Sequence, residues 1–357
     1  MKISFLHGTP IQRLLRFPIR FRKEMRLKNW LRVVLFIPSG IVNSLLSMPD
    51  VFFKSQEPKD IVFIVGHFRS GTTHLHNMLT SSSDFIAPST YEAAMPFHFL
   101  FTQYWLKPII SLIMPNERPF DSMKMDVDSP QEDELALATA CATTPILAAT
   151  YPFDSDYFKN GISLTDLEKK EQADWIRFHK RFIGKVGRRA SREAGIILKS
   201  PTHTSRIPFL LKLYPNAKFI HLHRHPEKVI RSSLNLYATW YEMQSFGDVN
   251  ELKAKTFENL IQTYARYEKD WKADQHLIPK ENRLDISFTE VSENPIEVVE
   301  MVFDTFKLNS YSKQRLVEYL NTVKDFKRGS YPDLSKEMVE QASTLLKEYL
   351  NDYKYTF

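Results

Sequence analysis

At 357 residues, 43% of them apolar, the chain is long enough to bury a full core and too polar to be a bundle of membrane spans. Its formal charge of +6 suits a polyanionic ligand or an anionic membrane surface, without choosing between them. Cys141 is the only cysteine, which excludes an intrachain disulfide and favours a reducing compartment. No CxxC, HExxH or calcium-loop pattern occurs, so no metal is expected.

Residues 1–32 carry nine Lys/Arg against one acid, Glu24. The apolar stretch Val33 to Phe53 follows, interrupted by Pro38, Gly40, Asn43, Ser44 and Pro49. The basic leader is too long for a secretory signal, and the helix breakers argue against a span. Residues 1–55 therefore read as a basic amphipathic segment lying on an anionic membrane, with a packed accessory helix and a span as alternatives. The expected location is cytoplasmic, peripheral on the inner face of the membrane. Residues 56–357 read as one catalytic domain.

Ile61 to Ser81 is the stretch on which function turns. Ile61–Val65 is short, β-branched and uncharged, as a buried parallel strand would be. Gly66 and Gly71 bracket a tight loop, and Thr72 and Thr73 open a helix with Leu75, Met78 and Leu79 on one face. Strand, glycine-bounded loop and helix N-terminus together make an anion site, because free amides and the helix dipole converge there. A nucleoside-triphosphatase loop would place lysine where Thr72 stands, and Arg69 is the only cation in this loop. A P-loop kinase or other ATP-using phosphotransferase remains the alternative, lacking both the lysine and an arrangement of magnesium ligands. A third reading is a membrane-associated binding protein with no activity.

Asp84 to Thr90 is expected to return as a short strand and loop. An aromatic-rich stretch then surrounds Glu92, which reads either as a carboxyl with raised pKa, suited to a general base, or as a solvent-facing helix residue. Ser129-Pro130-Gln131-Glu132 has the form of a helix start, with a serine cap, proline at the first position and a capping-box glutamate. A long, solvated polar helix is expected over Asp166 to Arg192. Gly195 to Leu198 reads as the second strand, ending in Lys199-Ser-Pro-Thr-His203. Ser205 to Tyr214 follows as a helix and Ala217 to His223 as the third strand. His221, His223 and His225 alternate on that strand, but no acidic or thiol partner is near in sequence, so a metal cluster is not expected. Arg224 at the strand end and Ser232 two helical turns later can surround one phosphate. Arg283 to Phe288 reads as a late strand and Pro295 to Phe306 as an amphipathic helix. Lys327-Arg328-Gly329 forms a basic turn whose glycine allows backbone amides to face an anion.

Separate pieces of the chain agree with one family. RSGTT (Arg69 to Thr73), PQEDE (Pro130 to Glu134), KSPTH and HRHP together resemble the bacterial branch of the sulfotransferases that use 3′-phosphoadenosine 5′-phosphosulfate (PAPS), over about residues 60 to 330. The resemblance implies a P-loop-type three-layer α/β/α fold with a central, mostly parallel sheet and extra helices. It implies that Arg69, Ser70, Gly71, Thr72 and Thr73 hold the 5′-phosphosulfate and that Arg224 and Ser232 hold the 3′-phosphate. Lys327, Arg328 and Gly329 resemble the family's loop that closes over the same phosphate. Either Glu92 or His203 corresponds to the catalytic base, with Glu92 slightly favoured, and Lys199 joins Arg69 in stabilising the transferring group. The implied reaction is in-line transfer of the sulfuryl group from PAPS, without a metal, to a hydroxyl or, less readily, an amine. The acceptor is a small molecule or a lipid-linked alcohol, and no nucleic acid is involved.

Overall fold

Short runs of β-branched and apolar residues become four strands in the computed structural model, which describes residues 4–121, 123–153, 161–165, 167–189, 195–326 and 329–357. β1 (Ile61–Val65), β2 (Ile196–Lys199), β3 (Lys218–His223) and β4 (Arg283–Ser287) pair in the order β2-β1-β3-β4, all parallel. Every residue of β1 and β2 is buried, which is why neither shows a polar alternation. Val62, Ile64, Ile220, Leu222 and Ile286 pack on one face against the helices Thr72–Ser81, Pro295–Thr305 and Lys313–Val323. On the other face Phe63 meets His203 and Tyr214, and His221 stacks on Trp271 of the helix Val249–Asp274. The expected α/β/α layering is present. Because all strands run the same way, the loops that leave their carboxyl ends gather along one edge of the sheet.

The chain divides into two units: Met1–Pro58, Ala87–Arg189 and Trp240–Val249 form one, and Lys59–Ile86, Ala190–Thr239 and Asn250–Phe357 form the other. The sheet belongs to the second. Asp84 to Thr90 does not form the expected strand; it contributes a single parallel bridge from Ile86 to Ile196.

In the first unit, the stretch expected to be broken is one continuous helix, Leu27–Leu46, with Pro38 inside it. The bond that Pro38 forgoes would have ended on the carbonyl of Val34, a residue open to solvent, where water can satisfy it. Asn29, Val33, Phe36, Gly40 and Asn43 form its buried stripe. Asn29 Nδ2 donates to the Phe246 carbonyl at 2.7 Å, and Asn43 Oδ1 meets His98 Nε2 at 2.9 Å. The expected helix start at Ser129 is displaced to Asp133, because Pro130 bridges to Ser89 and the Gln131 amide donates to the Pro88 carbonyl. Ser129 instead donates to Asp126 through both its amide and its hydroxyl. The helix after residue 168 is solvated on one face only, where Lys169, Lys170, Arg177 and Lys180 are exposed. Lys169–Val186 buries Trp175, Phe178, His179, Phe182 and Lys185, whose ammonium meets Asp50 and the Pro96 carbonyl. Residues 166 and 190–192, expected at the ends of that helix, lie outside the described residues.

In the second unit, His221 has no acidic neighbour in sequence, yet the fold supplies two. Its Nδ1 lies 2.9 Å from Asp285 Oδ1 on β4, and its Nε2 lies 3.5 Å from Glu268 Oε2 on the helix Val249–Asp274. Tyr353 donates to Asp285 Oδ2 at 2.9 Å and stacks on His223. Burial pushes the His221 pKa down, but the two carboxylates more than offset this and raise it to about 9. In the unfolded chain the same ring titrates near pH 6.5. Its bound proton therefore favours the fold fully below about pH 6.5, and that contribution is lost as pH rises towards 9. Urea unfolding should show stability falling by about 1–3 kcal/mol across this window, and His221→Gln should flatten that slope. Parallel pH profiles for the two proteins would contradict the assignment.

Candidate active site

The loop after β1 takes its shape from three left-handed residues: Gly66 (φ 120°), Arg69 (φ 69°) and Gly71 (φ 105°). A side chain on Gly66 would press into the Leu222 carbonyl, with Cβ 2.3 Å from its oxygen. On Gly71 it would enter the Phe288 ring, 2.1 Å from Cδ2. The His67 carbonyl accepts from the Ser70 amide (3.2 Å) and hydroxyl (2.8 Å), which closes the turn. Gly66 N donates to Thr204 Oγ1 at 2.8 Å, tying the loop to the segment that follows β2. Gly71 caps the helix Thr72–Ser81 with no side-chain hydrogen bond. The Thr72 and Thr73 amides precede the first bond of that helix, from the His74 amide to the Gly71 carbonyl (2.9 Å), and the positive end of its dipole opens onto the loop. With Thr72, Thr73 and Arg69 beside them, and no acid between residues 66 and 73, this donor set fits an anionic phosphate or sulfate.

Two groups that are distant in sequence join the loop. Arg69 Nε donates to Ser232 Oγ at 2.8 Å, and Arg224 Nη1 donates to the Arg69 carbonyl at 3.0 Å. The loop and the Arg224/Ser232 pair are thus continuous. Arg224 lies over the Phe288 ring, 4.3 Å from its centroid. One hydroxyl, that of Tyr349, accepts from the Arg224 amide (3.0 Å) and donates to the Arg224 carbonyl (2.6 Å), which also accepts from Tyr264 (3.3 Å). Lys327 and Arg328 lie outside the described residues. Gly329 is exposed, and the chain just beyond it is held to the helix Pro226–Gln244 by Arg231, which bonds the Tyr331 carbonyl and pairs with Asp333 at 2.8 Å.

Lys199 ends β2, beside Ile64 of β1, and is buried. His203 sits in the 3-10 turn Pro201–Ser205 with its ring edge-on to Phe63, centroids 5.3 Å apart, and is fully buried. Glu92 belongs to the first unit. It is the third residue of the helix Thr90–Ala94, in a capping box with Ser89, and Arg189 grips its carboxylate from Nε (2.7 Å) and Nη2 (2.8 Å). Burial raises the Glu92 pKa and Arg189 pulls it back.

Thr204, Phe288, Tyr264 and Tyr349 went unnoticed in the sequence. Thr204 directly follows the histidine of KSPTH, and Phe288 directly follows β4, so position relative to the strand ends could have pointed to both. Tyr349 has no local signal, because its partner lies 125 residues earlier.

A family model described as "Sulfotransferase family" matches residues 60–312. The omega-hydroxy-beta-dihydromenaquinone-9 sulfotransferase Stf3 of Mycobacterium bovis is 28% identical over 329 residues, covering 89% of this chain and 82% of that protein. The Mycobacterium tuberculosis protein of the same name matches to the same extent. Among solved structures, sulfotransferase STF9 from Mycobacterium avium is similar with a TM-score of 0.64 at 17% identity, covering 90% of this chain and 83% of that one. Sulfotransferase STF1 from M. tuberculosis H37Rv gives 0.56 at 19% identity, covering 89% and 85%. Those two likenesses bear on the fold. The family match spans all four strands, the glycine-bounded loop and the Arg224/Ser232 pair, and it sets aside the ATP-using alternative. The chain belongs to the sulfotransferase family and is a PAPS-dependent sulfotransferase.

Proposed function

We propose that the loop from Gly66 to Thr73 receives the 5′-phosphosulfate of PAPS, that Arg224 and Ser232 receive its 3′-phosphate, and that the acceptor is a hydroxyl on an apolar or lipid-linked small molecule. The contact between Arg69 and Ser232 carries this reading, since it joins two sets of anion donors that the sequence separates by 163 residues. Relatives named for a hydroxylated dihydromenaquinone support the acceptor class.

In the reaction, the acceptor oxygen forms a bond to sulfur while the bond from sulfur to the 5′-phosphate oxygen breaks. Adenosine 3′,5′-bisphosphate leaves, and the hydroxyl proton passes to a base. Negative charge grows on the departing phosphate, where the first-turn amides, the Thr72 and Thr73 hydroxyls and Arg69 supply fixed donors. Lys199 adds a cation at the adjacent strand end. We assign the base to His203, on the turn that Thr204 ties to Gly66. Glu92 is the weaker choice, because both of its oxygens already serve Arg189 and the Ser89 amide.

Arg69→Ala should lower turnover of labelled PAPS by about 10²–10³ while leaving the melting temperature within a few degrees. Unchanged turnover would refute the loop assignment. Arg224→Ala should weaken binding of adenosine 3′,5′-bisphosphate, read by calorimetry, by about 10- to 100-fold, the loss of a charge-assisted bond. His203→Ala should reduce kcat by about 10²–10⁴ with bisphosphate affinity retained. Glu92→Gln should instead act on stability, through Arg189. Should Glu92→Gln abolish turnover at an unchanged melting temperature while His203→Ala stays active, the base is Glu92.

A further inference from the structure

The helix Leu27–Leu46 is built the wrong way round for a helix that covers a soluble core. Its inward stripe includes two asparagines, each spent on a hydrogen bond within the first unit. The outward stripe is aliphatic: Leu27, Leu31, Val34, Leu35, Val42 and Leu45 recur at helical spacing, and Leu27 and Leu35 are 76% and 77% exposed. A second aliphatic stripe lies on a neighbouring element of the same unit. Phe99–Thr102 packs on the turn Pro49–Phe52 that follows the long helix. The chain then continues into Leu106–Ile113, which buries no residue and exposes Ile109, Leu112 and Ile113, with Tyr104 and Trp105 at its start. So wide an apolar exposure exceeds what scattered surface residues account for.

Charge identifies what covers it. Arg20, Arg22, Lys23, Arg26 and Lys28 are all exposed at the amino end of the long helix, with Glu24 the one acid among them. An aliphatic face bordered by cations, with a tyrosine and a tryptophan at its edge, matches the layering of an anionic bilayer: hydrocarbon, interface, headgroup. Leu27–Phe52 is long and apolar enough to cross a membrane. Crossing would strip Asn29, Arg32 and Asn43 of their partners, since Arg32 donates to the Ser245 and Met243 carbonyls. We propose that the first unit docks on an anionic bilayer with Leu27–Leu46 lying in the plane of the interface, and with Leu106–Ile113 as a second point of insertion.

Vesicle flotation of the full chain tests this without any reaction, so its outcome is separate from that of the donor-site assignments. The protein should float with vesicles of mixed phosphatidylcholine and phosphatidylglycerol and about tenfold less with phosphatidylcholine alone, and added salt should release it. Leu35→Glu combined with Leu112→Glu should abolish flotation, and Arg22→Glu combined with Lys23→Glu should weaken it on the anionic vesicles. All three proteins should keep the same melting temperature and the same affinity for adenosine 3′,5′-bisphosphate. Three results would overturn the proposal: no flotation of the unaltered protein, flotation unaffected by Leu35→Glu with Leu112→Glu, or retention through an alkaline carbonate wash, which marks a span. A dimer in sedimentation equilibrium that Leu35→Glu with Leu112→Glu turns into monomer would also overturn it, assigning the face to a second copy.

Discussion

A single strained backbone position, Arg69, organises the donor end of this enzyme. A left-handed conformation is unfavourable for any residue with a Cβ, by roughly 1–2 kcal/mol, and Arg69 holds it between two glycines that are left-handed as well. The conformation sends the Arg69 side chain to Ser232 and turns its carbonyl to Arg224. One residue therefore joins the loop to both members of the pair read as the 3′-phosphate site. Packing sustains the strain: Phe288 fills the space that a side chain on Gly71 would need and presents its ring to Arg224.

What could be read from the sequence was local. β1 was legible because five uncharged residues bounded by glycine have few other uses, and the spacing of Arg224 and Ser232 was legible because both sit within one strand-to-helix connection. Contacts made across the fold were not. Glu268 and Asp285 reach His221 from a helix and a strand that no periodicity could bring to it, which is why the histidine looked isolated. The serine cap expected at Ser129 lost to a competing use of the same residues, since Pro130 and Gln131 pair with 88–89 before the helix can start. Pro38, a helix breaker by residue type, lies within one continuous helix. Glu92 shows the limit most clearly: the sequence leaves open a carboxyl with raised pKa or a solvent-facing residue, and Arg189, which grips the buried carboxylate, lies 97 residues away.

The first unit is polar where it is anchored and aliphatic where it is open. Arg13 holds Asp174 through both terminal nitrogens, and Arg16 pairs with Asp174 and Glu171, so part of the basic leader is spent within the fold. Among the described residues of that leader, Arg20, Arg22, Lys23, Arg26 and Lys28 are exposed, at the amino end of the long helix. Reading charge from composition alone merges these two populations.

The bonds that define the donor loop close very large loops of chain: 138 residues from Gly66 to Thr204, 155 from Arg69 to Arg224, and 163 from Arg69 to Ser232. The parallel strands pair across similar separations, Ile61 with Ile196 and Val62 with Lys218, so loop and sheet depend on the same long-range closure. On a ribosome, β1 and its loop emerge long before any of these partners exists. The donor loop therefore gains its partners only once residue 232 has been made, and any shorter chain carries the signature motif without the contacts that hold it.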